Sequence, residues 1–517
     1  MATALAELAE LERRLRSLLP ADLYAVTWID PSPATLMQIF EHLRTLQHLL
    51  TNYVPRDVCD RLPRPGHPQY CWQTGSLLFT DLAGFTRLLE ASATQGRTGA
   101  ETLLALLNRY FAQMIEIISK SGGNLLEFTG DALLVQFTSN GQRNEVEQAV
   151  HAGLRMQRAM QDFAYLETPQ GTLSLQMRVG IHAGSFVTAD IGTPMRMGHV
   201  LLGRAVQIAK QAEGEGEIGC VSLTQATGDR VSERFRLRAA HPGHMIVVDD
   251  LTDERLGEYD ITLNRRRAAS PILFDRSVTG LIAEIQAAVQ MIEPLASHLP
   301  RSVLQLLVNN AAQRNIPPAF PTIAVAFVNL MGLPESIDDA RPDEIGEIVH
   351  CFSKAFALMN GAVERRSGIL QKVTYHSIGS EILIHFGVLN PDAGDAQRAV
   401  EAILAIRHLI NQIPPPNVQG EPIQLTCRIG MTYGPVFAAE IGAPRGRREF
   451  NVLGDTVNTA ARLMSQAQPD EILISEALRQ QLGDRYSPHL LGKFLLKGKT
   501  QPQPVYSLDS RHNGKPS

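Results

Sequence analysis

Four short stretches of this 517-residue chain recur in the same order at an offset near 250 residues. "YVPRDVCDRL" (Tyr53 to Leu62) returns as "HLPRSVLQLL" (His298 to Leu307), and "EQAVHAGLRMQ" (Glu147 to Gln157) as "QRAVEAILAIR" (Gln397 to Arg407). "MRVGIHAGSFVTADIG" (Met177 to Gly192) returns as "CRIGMTYGPVFAAEIG" (Cys427 to Gly442), and "VLLGRAVQIAKQ" (Val200 to Gln211) as "NVLGDTVNTAAR" (Asn451 to Arg462). Solenoid and propeller repeats run to about 20–50 residues, so a period this long means two whole domains. A fifth correspondence changes its charge. "LLFTDLAGFT" (Leu77 to Thr86) against "VAFVNLMGLP" (Val325 to Pro334) sets Asp81 against Asn329.

Each copy reads alike. A β-rich run opens it, Ser76 to Asp81 or Thr322 to Asn329. A helical stretch follows, with apolar residues three and four apart in "ETLLALLNRYFAQMIEIISK". A hairpin comes next, turning at Gly130-Asp131 in copy one and at Gly379-Ser380 in copy two. A second amphipathic helix and further strands close the unit. Strands and helices mix without strict β-α alternation, which predicts an α+β sandwich with helices on an antiparallel-rich sheet.

The boundaries expected are an N-terminal helical segment (1–75), copy one (76–262), a helical linker (263–319), copy two (320–510) and a polar, disordered tail (511–517). "MATALAELAELERRLRSLLP" carries acids among its leucines, so it reads as a helix packed on the body, not a signal peptide. No run reaches the roughly 18 apolar residues of a membrane span. A net charge of −5 leaves no basic face for nucleic acid, and the runs Arg265-Arg266-Arg267 and "RGRRE" (Arg445 to Glu449) read as solvated charge. The five cysteines lack pair spacing, which argues against a disulfide scaffold or a zinc site and fits a reducing, cytoplasmic location.

Asp81 ends an apolar strand and Asp131 sits in a hairpin turn, both ordinary places for aspartate. Together they can share divalent cations, with substrate phosphates completing the shell. The turn Gly84-Phe85-Thr86 leads into a helix whose free amides could cradle phosphate.

"FTDLAGFT", "GGNLLEFTGDALLVQF", "MRVGIHAG" and "FNVLGDTVNTAARLM" resemble the class III nucleotidyl cyclase family, over residues 76–262 and 320–508. The tandem form looks most like the bicarbonate-responsive soluble adenylyl cyclases. The resemblance implies two ferredoxin-like domains in an intramolecular head-to-tail pseudo-dimer, so a monomer, with ATP as substrate and two divalent cations (Mg²⁺ or Mn²⁺) as cofactors. It implies that Asp81, Asp131 and the Leu82 carbonyl hold metal. Arg178 and Lys497 (Lys499 being in close register) would contact the triphosphate, and Asn458 and Arg462 would orient the ribose and stabilise the transition state.

The two copies then divide the work. Copy one has Gln207 and Gln211 where copy two has Asn458 and Arg462, and copy two has Asn329 and Ser380 where copy one has Asp81 and Asp131. One complete and one degenerate site are expected. An acid left without metal at a partly buried interface would be costly, which accounts for the amide.

For the base, Lys372 lies seven residues before Gly379 and His376 three before it, and four residues along a strand keep one face. A lysine only donates, and adenine N1 accepts, so Lys372 favours ATP. Asn451, three before Gly454, both accepts and donates and leaves a guanylyl cyclase open. A silent nucleotide-binding module is the other alternative. In the degenerate site, Glu127 and Lys210 fall where the bicarbonate-responsive relatives hold their anion with a lysine and an arginine. A Glu127–Lys210 ion pair is expected to leave little attraction for bicarbonate. The regulator stays unidentified.

Overall fold

The computed structural model describes residues 7–508 apart from 65, 139–143, 169–170, 257–274, 312–315, 444–445, 498 and 500. The 265–267 arginine run, Arg445 and the 511–517 tail therefore lie outside the described residues.

Copy one is built round β1 (Gln69–Ala83), whose apolar run from Ser76 to Thr80 is buried because strands flank it on both sides. It starts seven residues ahead of the expected boundary at 76. Next come α5 (Phe85–Ala93), α6 (Gly96–Lys120), the hairpin β2 (Asn124–Thr129) and β3 (Ala132–Thr138), and α7 (Glu145–Ala159). β4 (Gln176–Thr193), β5 (Arg196–Leu202), α8 (Arg204–Gly214), β6 (Val221–Thr224), β7 (Leu237–Ala239) and β8 (His244–Val247) complete it. The sheet order is β2-β3-β1-β4-β6-β8-β7, with β5 on β4 and only the β4–β6 pair parallel among those described.

N-terminal to this lie the helices α1 (Glu12–Leu18), α2 (Ala21–Ile29), α3 (Pro33–Tyr53) and α4 (Arg56–Asp60). The linker forms α9 (Val278–Ala296) and α10 (Arg301–Asn309). Copy two repeats the plan with β9 (Thr322–Met331), α11 (Leu333–Ser336), α12 (Ile345–Glu364), β10 (Ile369–Tyr375), β11 (Ser380–Phe386), α13 (Asp395–Ile410) and β12 (Thr426–Pro435). It continues with β13 (Phe437–Gly442), β14 (Arg448–Leu453), α14 (Asp455–Gln466), β15 (Ile472–Ser475), β16 (His489–Phe494) and β17 (Gln503–Ser507). Its sheet order, β10-β11-β9-β12-β15-β17-β16, matches copy one strand for strand. The copies differ at one break. Pro435 stands where copy one has Ser185, and without an N–H it ends β12, so β13–β14 is a separate ribbon where β4 runs on unbroken.

Each copy pushes its ribbon into the other. Phe437, Ala439, Ile441 and Leu453 of copy two are buried among the α6 residues of copy one, and the Gly442 N–H donates to Asn108 Oδ1 at 3.1 Å. Val187, Ala189, Ile191, Val200 and Leu202 of copy one are buried against α12, and the Gly192 N–H donates to Ser353 Oγ at 2.8 Å. Two arginines at equivalent places (447 − 251 = 196) cross between the copies. Arg196 donates to the carbonyls of His298 (2.7 Å) and Gln371 (2.8 Å), and Arg447 to those of Asn52 (3.3 Å) and Leu126 (3.2 Å). The copies are thus related by a pseudo-twofold axis, head to tail.

The N-terminal helices pack on the linker. Leu8, Leu11, Leu15 and Leu18 bury against Ile282, Ile285, Val289 and Ile292, and the cluster extends to Ile323, Val325 and Phe327 of β9 and Val457, Ala460 and Met464 of α14. The leucine pattern of the first helix is therefore its packing face. No helix among the described residues is long and apolar enough to cross a membrane.

Candidate active site

β1 brings Asp81 to the edge of the interface between the copies, where Gly84 (φ 94°) turns the chain into α5. Only glycine fits there, because an added Cβ would lie 2.5 Å from the Ser174 carbonyl oxygen. The hairpin turn at Gly130 and Asp131 is tied to β1 by the Leu133 N–H, which donates to Thr80 Oγ1 at 2.9 Å. Burial, and next the charge of Asp81, raise the Asp131 carboxyl well above the usual carboxylate range. Arg178, opposite Asp81 in the β1–β4 register, places Nη1 3.7 Å from Asp81 Oδ2. Two neighbouring carboxylates of which one resists ionising are a donor set that a hard divalent cation would satisfy. Leu82 and Phe85 are buried, and Thr86 is half-buried. Beside them an open groove of about 450 Å³ runs between Gly84, Thr86, Arg87 and Ser174.

Across the interface, Gly454 (φ 135°) starts α14. A Cβ on Gly130 would lie 3.9 Å from Leu453, and one on Gly454 3.6 Å from Leu89, so the Asp131 hairpin and the start of α14 are in contact. Asn458 and Arg462 follow one turn apart, both half-buried. Arg462 Nη1 lies 3.8 Å from Asp455 Oδ1, and Lys499 also ion-pairs with Asp455. Lys497 is exposed instead, so Lys499, in close register, is the lysine held beside α14. Asp455, which gathers both cations, was in view in "GDTVN" but has no signal of its own in the sequence.

On the base side, Lys372 donates to Glu449 Oε1 at 2.5 Å and to the Phe128 carbonyl. Asn451 Nδ2 reaches the same carbonyl at 3.5 Å, while its Oδ1 accepts from the Val452 N–H at 3.0 Å. His376 lies beyond the strand that carries Lys372. β10 ends at Tyr375, leaving His376 in a loop with Nε2 3.9 Å from Glu381, which pairs with Thr374 two residues after Lys372. The copy-two turn is also longer than expected, running from His376 to Gly379, with Ser380 already in β11.

The second inter-copy site holds Asn329, Ser380, Gln207 and Lys210. Asn329 is fully buried and donates from Nδ2 to the Ile378 carbonyl at 2.9 Å. Ser380 is buried, and Gln211 lies exposed with its amide on Glu215 at 3.0 Å. The expected Glu127–Lys210 ion pair does not form. Lys210 binds Glu213 at 2.7 Å on its own helix, and Glu127 Oε1 lies 3.8 Å from Lys372. The reason is register. Glu127 pairs with Leu134 and Lys372 with Leu383, equivalent places on strands that meet at the axis. Counting back from the hairpin glycine misses this, because the copy-two turn is longer.

The profile of the adenylate and guanylate cyclase catalytic domain matches residues 70–249 and 317–510. Human adenylate cyclase type 10 is 23% identical over 421 residues, covering 77% of this chain and 24% of that protein. Adenylate cyclase 1 of Rhizobium meliloti (strain 1021) is 26% identical over 31% of this chain and 24% of its own. The chain spans about a quarter of the length of these relatives. A class III adenylyl cyclase-like ATP-binding protein from Pseudomonas aeruginosa has the same fold over 85% of this chain and 92% of its own, with a TM-score of 0.53 and 13% identity.

Proposed function

The chain belongs to the adenylate and guanylate cyclase catalytic domain family, and from that premise we propose that it converts ATP into 3′,5′-cyclic AMP and pyrophosphate at one composite site between its copies. One observation carries this reading. The Asp131 hairpin of copy one touches the start of α14, so the acids at Asp81 and Asp131 and the pair Asn458–Arg462 belong to the same side of the interface.

In this reading the ribose 3′-oxygen attacks the α-phosphorus, the bond to the bridging oxygen breaks, and pyrophosphate leaves. The 3′-hydroxyl proton passes to solvent. Asp81, Asp131 and the Leu82 carbonyl would hold two Mg²⁺ or Mn²⁺ ions, which supply Lewis acidity for the attacking and leaving oxygens. Arg178 and Lys499, with Lys497 at the rim, hold the polyphosphate, and the Gly84-Phe85-Thr86 turn presents amides to it. Asn458 fixes the ribose. Arg462 meets charge that grows only in the transition state, where a preorganised donor accelerates most. Lys372 donates to adenine N1.

A second reading, a guanylyl cyclase, draws on Asn451. Its oxygen is engaged by the Val452 N–H, so it turns a donor inward, which suits guanine O6. The deciding experiment incubates the purified full chain with ATP or GTP and Mn²⁺ or Mg²⁺ and separates the products. Cyclic AMP from ATP in excess supports the first reading and cyclic GMP from GTP the second. Nucleotide bound without either product leaves a silent binding module.

A further inference from the structure

Glu335 lies at the second inter-copy site, where sequence reasoning assigns nothing. Its Oε2 accepts from the Gly332 N–H at 2.9 Å. Its Oε1 accepts from Gln207 Nε2 of the other copy at 2.8 Å and from the Gly379 N–H of the copy-two hairpin. A helix cap accounts for the first bond alone. The other two come from a separate hairpin and a separate domain.

The repeat shows what these donors are. Subtracting the local offsets takes Gly332 to Gly84 (332 − 248), Gly379 to Gly130 (379 − 249) and Gln207 to Asn458 (207 + 251). These are three groups of the candidate active site. There, the counterpart of Glu335 is Arg87 (335 − 248), exposed at the rim of the open groove. The same place thus carries an exposed cation beside the candidate active site and a tethered anion at the second site.

We propose that Glu335 is the resident ligand of the second inter-copy site: its carboxylate occupies an oxyanion cradle made by the Gly332 and Gly379 amides and Gln207, and closes that site to phosphoryl anions. A carboxylate is a fair substitute for a phosphate oxygen, since charge-assisted bonds from backbone and side-chain N–H groups serve both. A second observation points the same way. Arg428, counterpart of Arg178 (428 − 250), has buried Nε and Nη2 atoms without a hydrogen-bond partner. Unsatisfied buried donors are costly and uncommon. They mark a site that keeps its taste for anions while its own acid bars the way. The hairpin is also drawn down, because a Cβ on Gly379 would lie 2.0 Å from Asn329 Oδ1.

The test is calorimetric titration of inorganic pyrophosphate into the full chain, in EDTA at constant ionic strength, for the parent and for Glu335→Ala. The variant is expected to take up one more equivalent than the parent, and to lose it again when Gln207→Ala and Arg428→Ala are added. Because the gain is counted against the parent, it is read whether or not the composite site itself binds. Glu335→Gln keeps the side-chain volume without the charge and should gain the same equivalent at lower affinity, which carries the test should the alanine variant not fold. A parent that already takes up the second equivalent would overturn the proposal. So would folded variants that bind no more than the parent.

Discussion

Glu127 and Lys372 hold equivalent register positions in the two copies, opposite Leu134 and Leu383, and Glu127 Oε1 lies 3.8 Å from Lys372 Nζ across the pseudo-twofold axis. Lys372 is held by the Phe128 carbonyl of copy one and by Glu449 of its own copy, with Glu127 beside it. The interface that separates the two sites also connects them.

Catalysis should be one-sided. Asp81→Ala, Asp131→Ala and Arg462→Ala are each expected to lower the rate of cyclic nucleotide formation by about 10²–10³ or more, the usual cost of losing one transition-state donor. Gln207→Ala, across the axis, should cost far less. Steady-state rates on variants with unchanged circular dichroism check this, and equal losses on both sides would refute a single composite site.

Restoring the acid at the second site should harm the fold. Asn329 donates to the Ile378 carbonyl inside a fully buried pocket. Asn329→Asp replaces the donor with an acceptor and leaves the carbonyl unsatisfied, a cost of about 1–3 kcal/mol. The melting temperature should fall, with metal giving no rescue.

Stability should decline from acid towards alkaline pH. Burial outweighs the nearby Lys372 and pushes the Glu127 carboxyl up to about 8, and Glu381 up to about 7, from ordinary values near 4.5. The folded state therefore holds protons the unfolded state releases. That stabilisation is complete below about 4.5 and is lost as pH rises to about 8. Glu127→Gln should flatten the melting temperature between pH 5.5 and 8.5 and raise it at the alkaline end. A variant with the parent's slope would count against this.

Bicarbonate at fixed pH should change the rate less than twofold. Lys210 is engaged by Glu213, and Glu127 stands opposite Lys372, so neither group is free to hold an anion. Glu127→Lys would set two ammonium groups together and should destabilise rather than create a response. Rates against bicarbonate, with chloride matching the ionic strength, decide it.

The full chain should act as a monomer, with activity per mole independent of concentration. Cut in the 257–274 region, each half would expose the apolar ribbon it buries in the other, so separate halves should be inactive and partly recover on mixing. Activity in an isolated first half would contradict this, since Asn458 and Arg462 lie in the second.

Two copies of one α+β unit, the hairpin at Gly130-Asp131 and the complementary loss of Asp81 and of Asn458 with Arg462 were all legible in the residues. Repetition, apolar periodicity and glycine turns act over a few residues, so they survive in a linear string. The order of residues also carried the expectation of one complete and one degenerate site. Only the tertiary structure decided which charges meet. Glu127 faces Lys372 rather than Lys210 because equal register, not distance from a glycine, brings strands together at the axis. Lys499 rather than Lys497 reaches Asp455, and Glu335 finds Gln207 in the other copy. Such pairings join groups far apart in sequence, and electrostatic contact depends on separation in space, which the order of residues alone does not fix.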